Sequence, residues 1–312
     1  IIGQKSYDRL LKKPMAEYMA QDCSDVPEEY ARLIQLFQHT NQAFPFEGNR
    51  IAVYTEGYTK LQSLLRELQK AKQHIHIEYY IFEDDAIGRL VRDVLIEKAS
   101  QGVEVRVIYD DVGCWHVPNR FFEEMRNAGI EVRSFLKVRF PLFTSRVNYR
   151  NHRKIVVIDG RIGFVGGMNL AERYMRGFSW GIWRDTHILI EGKAVHGLQT
   201  AFLLDWYFVD RTLITASRYF PKIESCGSSL VQVVTSEPIG PWKEIMQGLT
   251  MAINGAKKYF YMQTPYFLPT EQVLAAMQTA ALAGVDVRLM LPERADNRIT
   301  HLGSHSYLAD VM

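Results

Sequence analysis

Two residues spaced two apart, His152 and Lys154, set a potential nucleophile beside a fixed cation. They open a run of β-branched residues, 155–158, which ends at Asp159-Gly160, and a second apolar run, Ile162 to Val165, follows at once. That pattern reads as two strands joined by a tight turn. Side chains two apart on a strand share a face, so His152 and Lys154 should point the same way. Neutral imidazole, with an unperturbed pKa near ~6.5, is largely available as a nucleophile at neutral pH. A lysine on the same face can neutralise the non-bridging oxygens of a phosphate ester as charge grows, an effect typically worth ~3–4 kcal/mol per donor. Phosphodiesters react very slowly unaided, and a covalent intermediate divides the barrier into two smaller ones. The scheme requires no metal and no other cofactor, because the lysine takes the place of a Lewis acid.

The string Tyr149-Arg150-Asn151-His152-Arg153-Lys154, with Asp159 and Gly166-Gly167-Met168-Asn169 after it, resembles the phospholipase D superfamily, and within it the bacterial cardiolipin synthases. The resemblance implies a phosphatidyltransferase that condenses two phosphatidylglycerols to cardiolipin and glycerol through a phosphatidyl-histidine. His152 would attack and Lys154 would stabilise the phosphate, with Gly167 and Asn169 on the substrate side. A nucleophilic histidine needs its second nitrogen held by an acceptor. Asp159 follows the strand and is not obviously on the His152 face. In the superfamily a carboxylate on a later strand often takes this role, and the matching position in Trp183-Arg184-Asp185 is Asp185. Asp159, though part of the catalytic motif, is read as mainly structural in the turn. A different phospholipase D-type enzyme (a phosphatidylserine synthase, a lipid hydrolase or a nuclease) and a non-catalytic phosphate- or lipid-binding module stay open as alternatives.

The elements that must position these residues alternate. Strands are expected at Ile51 to Tyr54, His74 to Ile81, Glu104 to Tyr109 and Glu131 to Phe135, with helices at Thr59 to Lys72, Ile87 to Ser100 and Val117 to Ala128 between them. This argues for an α/β fold with a mixed, largely parallel sheet flanked by helices. A helix is expected from Leu170, capped by Asn169 with Glu172 three residues on, the spacing of a capping box. Arg184 to Gly192 reads as a strand and Ala194 to Phe208 as an amphipathic helix. His74, His76 and Glu78 alternate with apolar residues, so one-face packing is preferred to a metal site.

The chain also repeats itself. Residues 71–78 line up with 256–263, and 102–106 with 284–288, in the same order and at nearly the same offset. Two matched blocks argue for an internal duplication. The expected organisation is a helical lead-in (1–48), a first repeat carrying the motif (49–228) and the start of a second (229–312). Glu78 and its equivalent Gln263 are expected to line the cleft between halves, with a polar core pair as the alternative. An equivalent of His152 would fall near position 334, and neither His301 nor His305 is followed by Lys two residues later. Both ends of the chain read as cut.

Composition bounds the partners. The chain has 312 residues, 47% hydrophobic and 23% charged, with net charge +2. That is the profile of a globular protein with a sizeable core. A near-neutral charge speaks against a nucleic-acid partner, so anionic partners must meet local patches. The Lys137 to Phe143 stretch interleaves basic and apolar residues and could rest on an anionic membrane surface. Three widely spaced cysteines make neither a metal pattern nor a disulfide framework. No apolar run reaches the ~18 residues needed to span a bilayer. The resemblance places the catalytic domain at the surface of the bacterial inner membrane, with phosphatidylglycerol as partner. Oligomeric state is unknown from the sequence.

Overall fold

The computed structural model describes residues 26, 28–137, 150–179, 181–237, 240–294 and 298–311. Most of the Lys137 to Phe143 stretch lies outside them. The described chain divides by its contacts into residues 44–233 and a second unit of 28–43 with 234–311.

The first unit is built on an eight-stranded mixed sheet. Its strands are β1 (Pro45–Tyr54), β2 (His74–Tyr79), β3 (Glu104–Asp110), β4 (Glu131–Phe135), β5 (Lys154–Ile158), β6 (Ile162–Gly166), β7 (His187–Glu191) and β8 (Ser229–Gln232). Their spatial order is β4-β3-β2-β5-β6-β7-β1-β8. Neighbours are parallel across β4-β3-β2 and antiparallel from β2 to β8, so five of the eight strands run one way. The parallel stretch comes from the crossover helices α3 (Ala86–Ser100) and α4 (Asn119–Asn127), and the antiparallel stretch from direct strand returns.

Period-two patterning decides the two faces. Ile75, Ile77, Tyr79, Val156, Ile158 and Phe164 pack in one core with Leu61, Leu64 and Leu68 of α2 (Gly57–Lys70) and with Val91 and Leu95 of α3. Ile155, Val157 and Ile190 pack on the other side, against Val195, Leu198 and Ala201 of α6 (Val195–Asp210). The sheet is therefore covered on both faces, which is why β2 and β5 are buried along their whole length.

Two sequence expectations are corrected here. Residues 45–48 and 229–232 belong to the first sheet, because the start of β1 pairs with β8. The helix expected from Leu170 is only the short α5 (Arg173–Arg176), and Asn169 does not cap it.

The second unit holds α1 (Glu28–Asn41), α7 (Glu244–Gly255), β9 (Tyr259–Gln263), α8 (Glu271–Leu282), β10 (Asp286–Met290), α9 (Arg298–Ser306) and α10 (Leu308–Val311). β9 and β10 are parallel, with Tyr259 opposite Asp286. In the first unit His74 stands opposite Glu104. Tyr259 and Asp286 lie 185 and 182 residues after those two, so the repeated blocks form the same strand–helix–strand pairing in the same register. No helix among the described residues is long and apolar enough to cross a membrane.

Candidate active site

His152 sits just before β5 and Lys154 opens it. Lys154 is 2% exposed, and its register partner is Tyr79. Its Nζ lies 2.8 Å from His152 Nδ1 and donates to the His152 carbonyl at 2.6 Å. The Tyr80 ring completes the pair, 4.6 Å from the His152 ring and 5.4 Å from Lys154 Nζ. Loss of solvation, reinforced by Lys154, pushes the His152 ring down to about 4, so it is neutral at ordinary pH. Burial likewise lowers Lys154 to about 8, and Asp185 opposes that shift.

Asp185 precedes β7. A side chain at Gly167 would come within 2.0 Å of its Oδ1, so the glycine makes room for the carboxylate. The same oxygen accepts the Thr186 N–H at 2.7 Å. Burial raises the Asp185 carboxyl, while Thr186, Lys154 and Trp183 pull it back down. Among the described residues, no hydrogen bond joins Asp185 to His152. The site therefore unites His152, Lys154, Gly167 and Asp185, with Lys154 rather than Asp185 on the imidazole.

Three other expected site residues take different places. Asp159 follows the far end of β5, at φ +51°. Its carboxylate accepts the N–H groups of Lys72, Gln73 and His74 at 2.9, 2.8 and 2.9 Å. From the turn after β5 it anchors the start of β2. Asn169 is 2% exposed. Its Oδ1 accepts from Ile81 N at 3.1 Å and its Nδ2 donates to the Tyr174 hydroxyl at 2.6 Å. That ties the Gly-Gly-Met-Asn segment to the exit of β2.

Glu78 is 1% exposed and pairs in register with Ile155, so it faces α6, on the opposite side of the sheet from Lys154. Asn151 Nδ2 donates to it, and Asp205 lies beside it. Burial, with Asp205 nearby, drives its carboxyl well above the usual range. Glu78 is buried, whereas its equivalent Gln263 is exposed on β9. His74 and His76 face the same way and share Gln199, at 3.1 and 2.8 Å.

Residues 64–206 and 249–311 match the family model described as cardiolipin synthase, PLD-like domain. The chain belongs to this family. It is 43% identical over 268 residues to a cardiolipin synthase of Geobacillus kaustophilus (strain HTA426), covering 85% of this chain and 53% of that one. With the major cardiolipin synthase ClsA of Bacillus subtilis (strain 168) the identity is 41% over 284 residues, covering 90% and 59%. The chain thus spans a little over half the length of these relatives. A solved phosphatidylserine synthase of Haemophilus influenzae Rd KW20 shares the fold, at TM-score 0.61 and 14% identity, covering 89% of this chain and 72% of that one.

Sequence reasoning passed over several residues that shape this cardiolipin synthase-type site. Asn151 donates its backbone N–H to Asp110 at 3.0 Å and its side chain to Glu78, and so fixes the residue before His152. Asp110 also accepts from Val112 and Gly113, each at 2.9 Å. His187 is fully buried beside Gly166, and both its ring nitrogens lack partners among the described residues. Lys60, also fully buried, donates to the Tyr79 hydroxyl at 2.8 Å, and burial lowers it to about 7. Only the acid-glycine spacing of Asp110 and Gly113 was visible as a signal. The partners of Lys60 and His187 are distant in the chain.

Proposed function

We propose that this chain carries the nucleophilic half-site of a phosphatidyltransferase that makes cardiolipin from two phosphatidylglycerols. The observation that carries the reading is the neutral His152 ring with the buried Lys154 ammonium 2.8 Å from it, in a member of this family. On phosphate binding, Lys154 turns from the imidazole to the non-bridging oxygens, the ring proton moves from Nε2 to Nδ1 through solvent, and Asp185 accepts a hydrogen bond from the new Nδ1–H. Nε2 then attacks phosphorus, and the bond to the departing glycerol oxygen breaks as that oxygen is protonated. In the second step the hydroxyl of another phosphatidylglycerol loses a proton and displaces the histidine. By the family resemblance, a second histidine, from an equivalent repeat, serves as acid and base. The matched strand pairing of the second unit supports reading it as the start of that repeat.

The substrate is a membrane lipid, so the reading puts the catalytic domain at an anionic membrane surface of the bacterial cell. The test is lipid mass spectrometry on the natural-length protein, wild type and His152→Ala, with phosphatidylglycerol vesicles. Cardiolipin and glycerol from the wild type alone are expected. Phosphatidic acid alone would make water the acceptor and the enzyme a hydrolase. Equal turnover in the variant would sink the covalent mechanism.

A further inference from the structure

A single row of residues crosses the sheet at the end that carries His152. Tyr79 pairs with Lys154, and Gly166 pairs with His187, which pairs in turn with Tyr54 on β1. The pairing of Ile155 with Val165 sets Lys154 beside Gly166 and closes the row. Register partners point to the same face of a sheet. Lys154 and His187 therefore share one face, on either side of a residue with no side chain.

The missing side chain is filled by the imidazole. A Cβ at Gly166 would lie 2.7 Å from His187 Nδ1, so the ring leans over the glycine toward β5. The α2 helix roofs the row: Lys60 donates to the Tyr79 hydroxyl at 2.8 Å, and the Tyr54 hydroxyl donates to Ser63 at 2.7 Å. His187 is fully buried, and neither ring nitrogen has a hydrogen-bond partner among the described residues. Burial, with the Lys60 and Lys154 ammoniums acting on the ring, holds it well below its ordinary value, so it is neutral. Tyr54 and Tyr79 in the row, and Asp185 two residues before His187, are the other titratable groups around it.

A neutral imidazole always presents one lone pair. A buried acceptor with no donor is costly, and its retention is explained by a donor that arrives at another stage of the reaction. Lys154 is the nearest such donor along the row. An ammonium has three N–H groups. In the resting arrangement Lys154 directs its Nζ to His152 Nδ1 and to the His152 carbonyl, and it must leave Nδ1 for the chemistry to proceed. A neutral acceptor can hold the displaced ammonium without cancelling the charge that the phosphate needs.

We propose that His187 is a positioning residue for the transfer: its Nδ1 accepts from Lys154 once that lysine leaves His152, and so holds the ammonium facing the phosphate. This rests on the phosphatidyltransferase reading above. The bonds made and broken at phosphorus are unchanged. Lys154 exchanges one hydrogen-bond acceptor for another, and no proton passes between it and His187.

The test measures kcat and KM for cardiolipin formation by the natural-length enzyme on phosphatidylglycerol vesicles, from neutral to alkaline pH. His187→Leu removes the acceptor and keeps most of the bulk. It should lower kcat about ten- to a hundredfold with KM little changed, the loss expected for a hydrogen bond to a charged group. It should also move the alkaline limb, which Lys154 sets at about 8, down by about one unit, because an acceptor favours the charged amine. His187→Asn, whose side-chain oxygen takes the place of Nδ1, should restore both. Wild-type kcat and limb in the leucine variant would make the ring a packing group and overturn the inference. A fall in kcat with the limb unmoved, or a loss that asparagine shares, overturns it too. Thermal unfolding checks each variant. Where leucine does not fold, His187→Met, which adapts to irregular gaps, takes its place, and a folded but inactive His187→Asn overturns the inference by itself. If His152→Ala turns over like the wild type, the phosphatidyltransferase reading fails. If His152→Ala is inactive and the His187 variants behave like the wild type, only the role of His187 fails.

Discussion

Lys154 Nζ stands 2.8 Å from His152 Nδ1. An ammonium can only donate, so Nδ1 carries the lone pair and the ring proton sits on Nε2. Attack through Nε2 needs the opposite tautomer. On the proposed mechanism, the phosphate itself draws Lys154 away from the ring.

That switch needs an acceptor for the new Nδ1–H, and Asp185 is the one proposed. Asp185→Asn should lower kcat by about 10²–10⁴-fold, the range for a misplaced proton in acid–base chemistry. Stability should change little, because asparagine keeps the oxygen that accepts the Thr186 N–H. Steady-state kinetics beside thermal unfolding decide it. An unchanged kcat would remove Asp185 from the mechanism.

The pH profile follows from two lowered pKa values. His152 must be neutral, which holds above about 4, and Lys154 must be charged, which holds below about 8. The rate should be flat between these limits and fall as pH rises through the upper one. Lys154→Arg should move that alkaline limb upward, since a guanidinium stays charged. An alkaline limb unmoved by the substitution would assign it to another group.

Acid should unfold the protein before it silences the nucleophile. His76 and His196 are buried, and burial lowers them to about 3 and 4. In the unfolded chain each would titrate near ~6.5. Stability is thus full above that value and is lost as pH falls toward the folded values, by up to ~1.4 kcal/mol per pH unit per histidine. Denaturant melts at pH 7 and pH 5 would measure it, and equal midpoints would contradict it.

Glu78 offers a sharper contrast. Its carboxyl, raised by burial and set against the Asn151 side chain, is nearly isosteric with glutamine. Glu78→Gln should cost under about 1 kcal/mol, whereas Glu78→Ala, which leaves Asn151 and a cavity, should cost about 2–4 kcal/mol. If instead Glu78→Gln abolished turnover without loss of stability, the residue would belong to the chemistry after all.

Asp159 tests structure against motif. Asp159→Ala removes three accepted N–H bonds, partly exposed, and should lower stability by about 1–3 kcal/mol. Activity per folded molecule should stay within a few-fold. A loss comparable to that of His152→Ala would return Asp159 to the catalytic set.

Local pattern carried much of this through the sequence alone. The two-residue spacing put His152 and Lys154 together, although only Lys154 lies within β5. The β-branched run after them wrote β5, and the turn at Asp159-Gly160 wrote the hairpin. The repeated blocks announced a second strand pair that has the same register as the first. Other features were decided by the tertiary structure, because they depend on which strands become neighbours and which face each presents. Glu78 lies one residue before Tyr79, yet β5 turns Tyr79 toward Lys154 and leaves Glu78 to α6. Asn169 follows capping-box spacing, but Ile81 and Tyr174 claim its side chain before any helix can. Spacing along the chain records period and turn, whereas the partner of a buried polar group is chosen by packing across it.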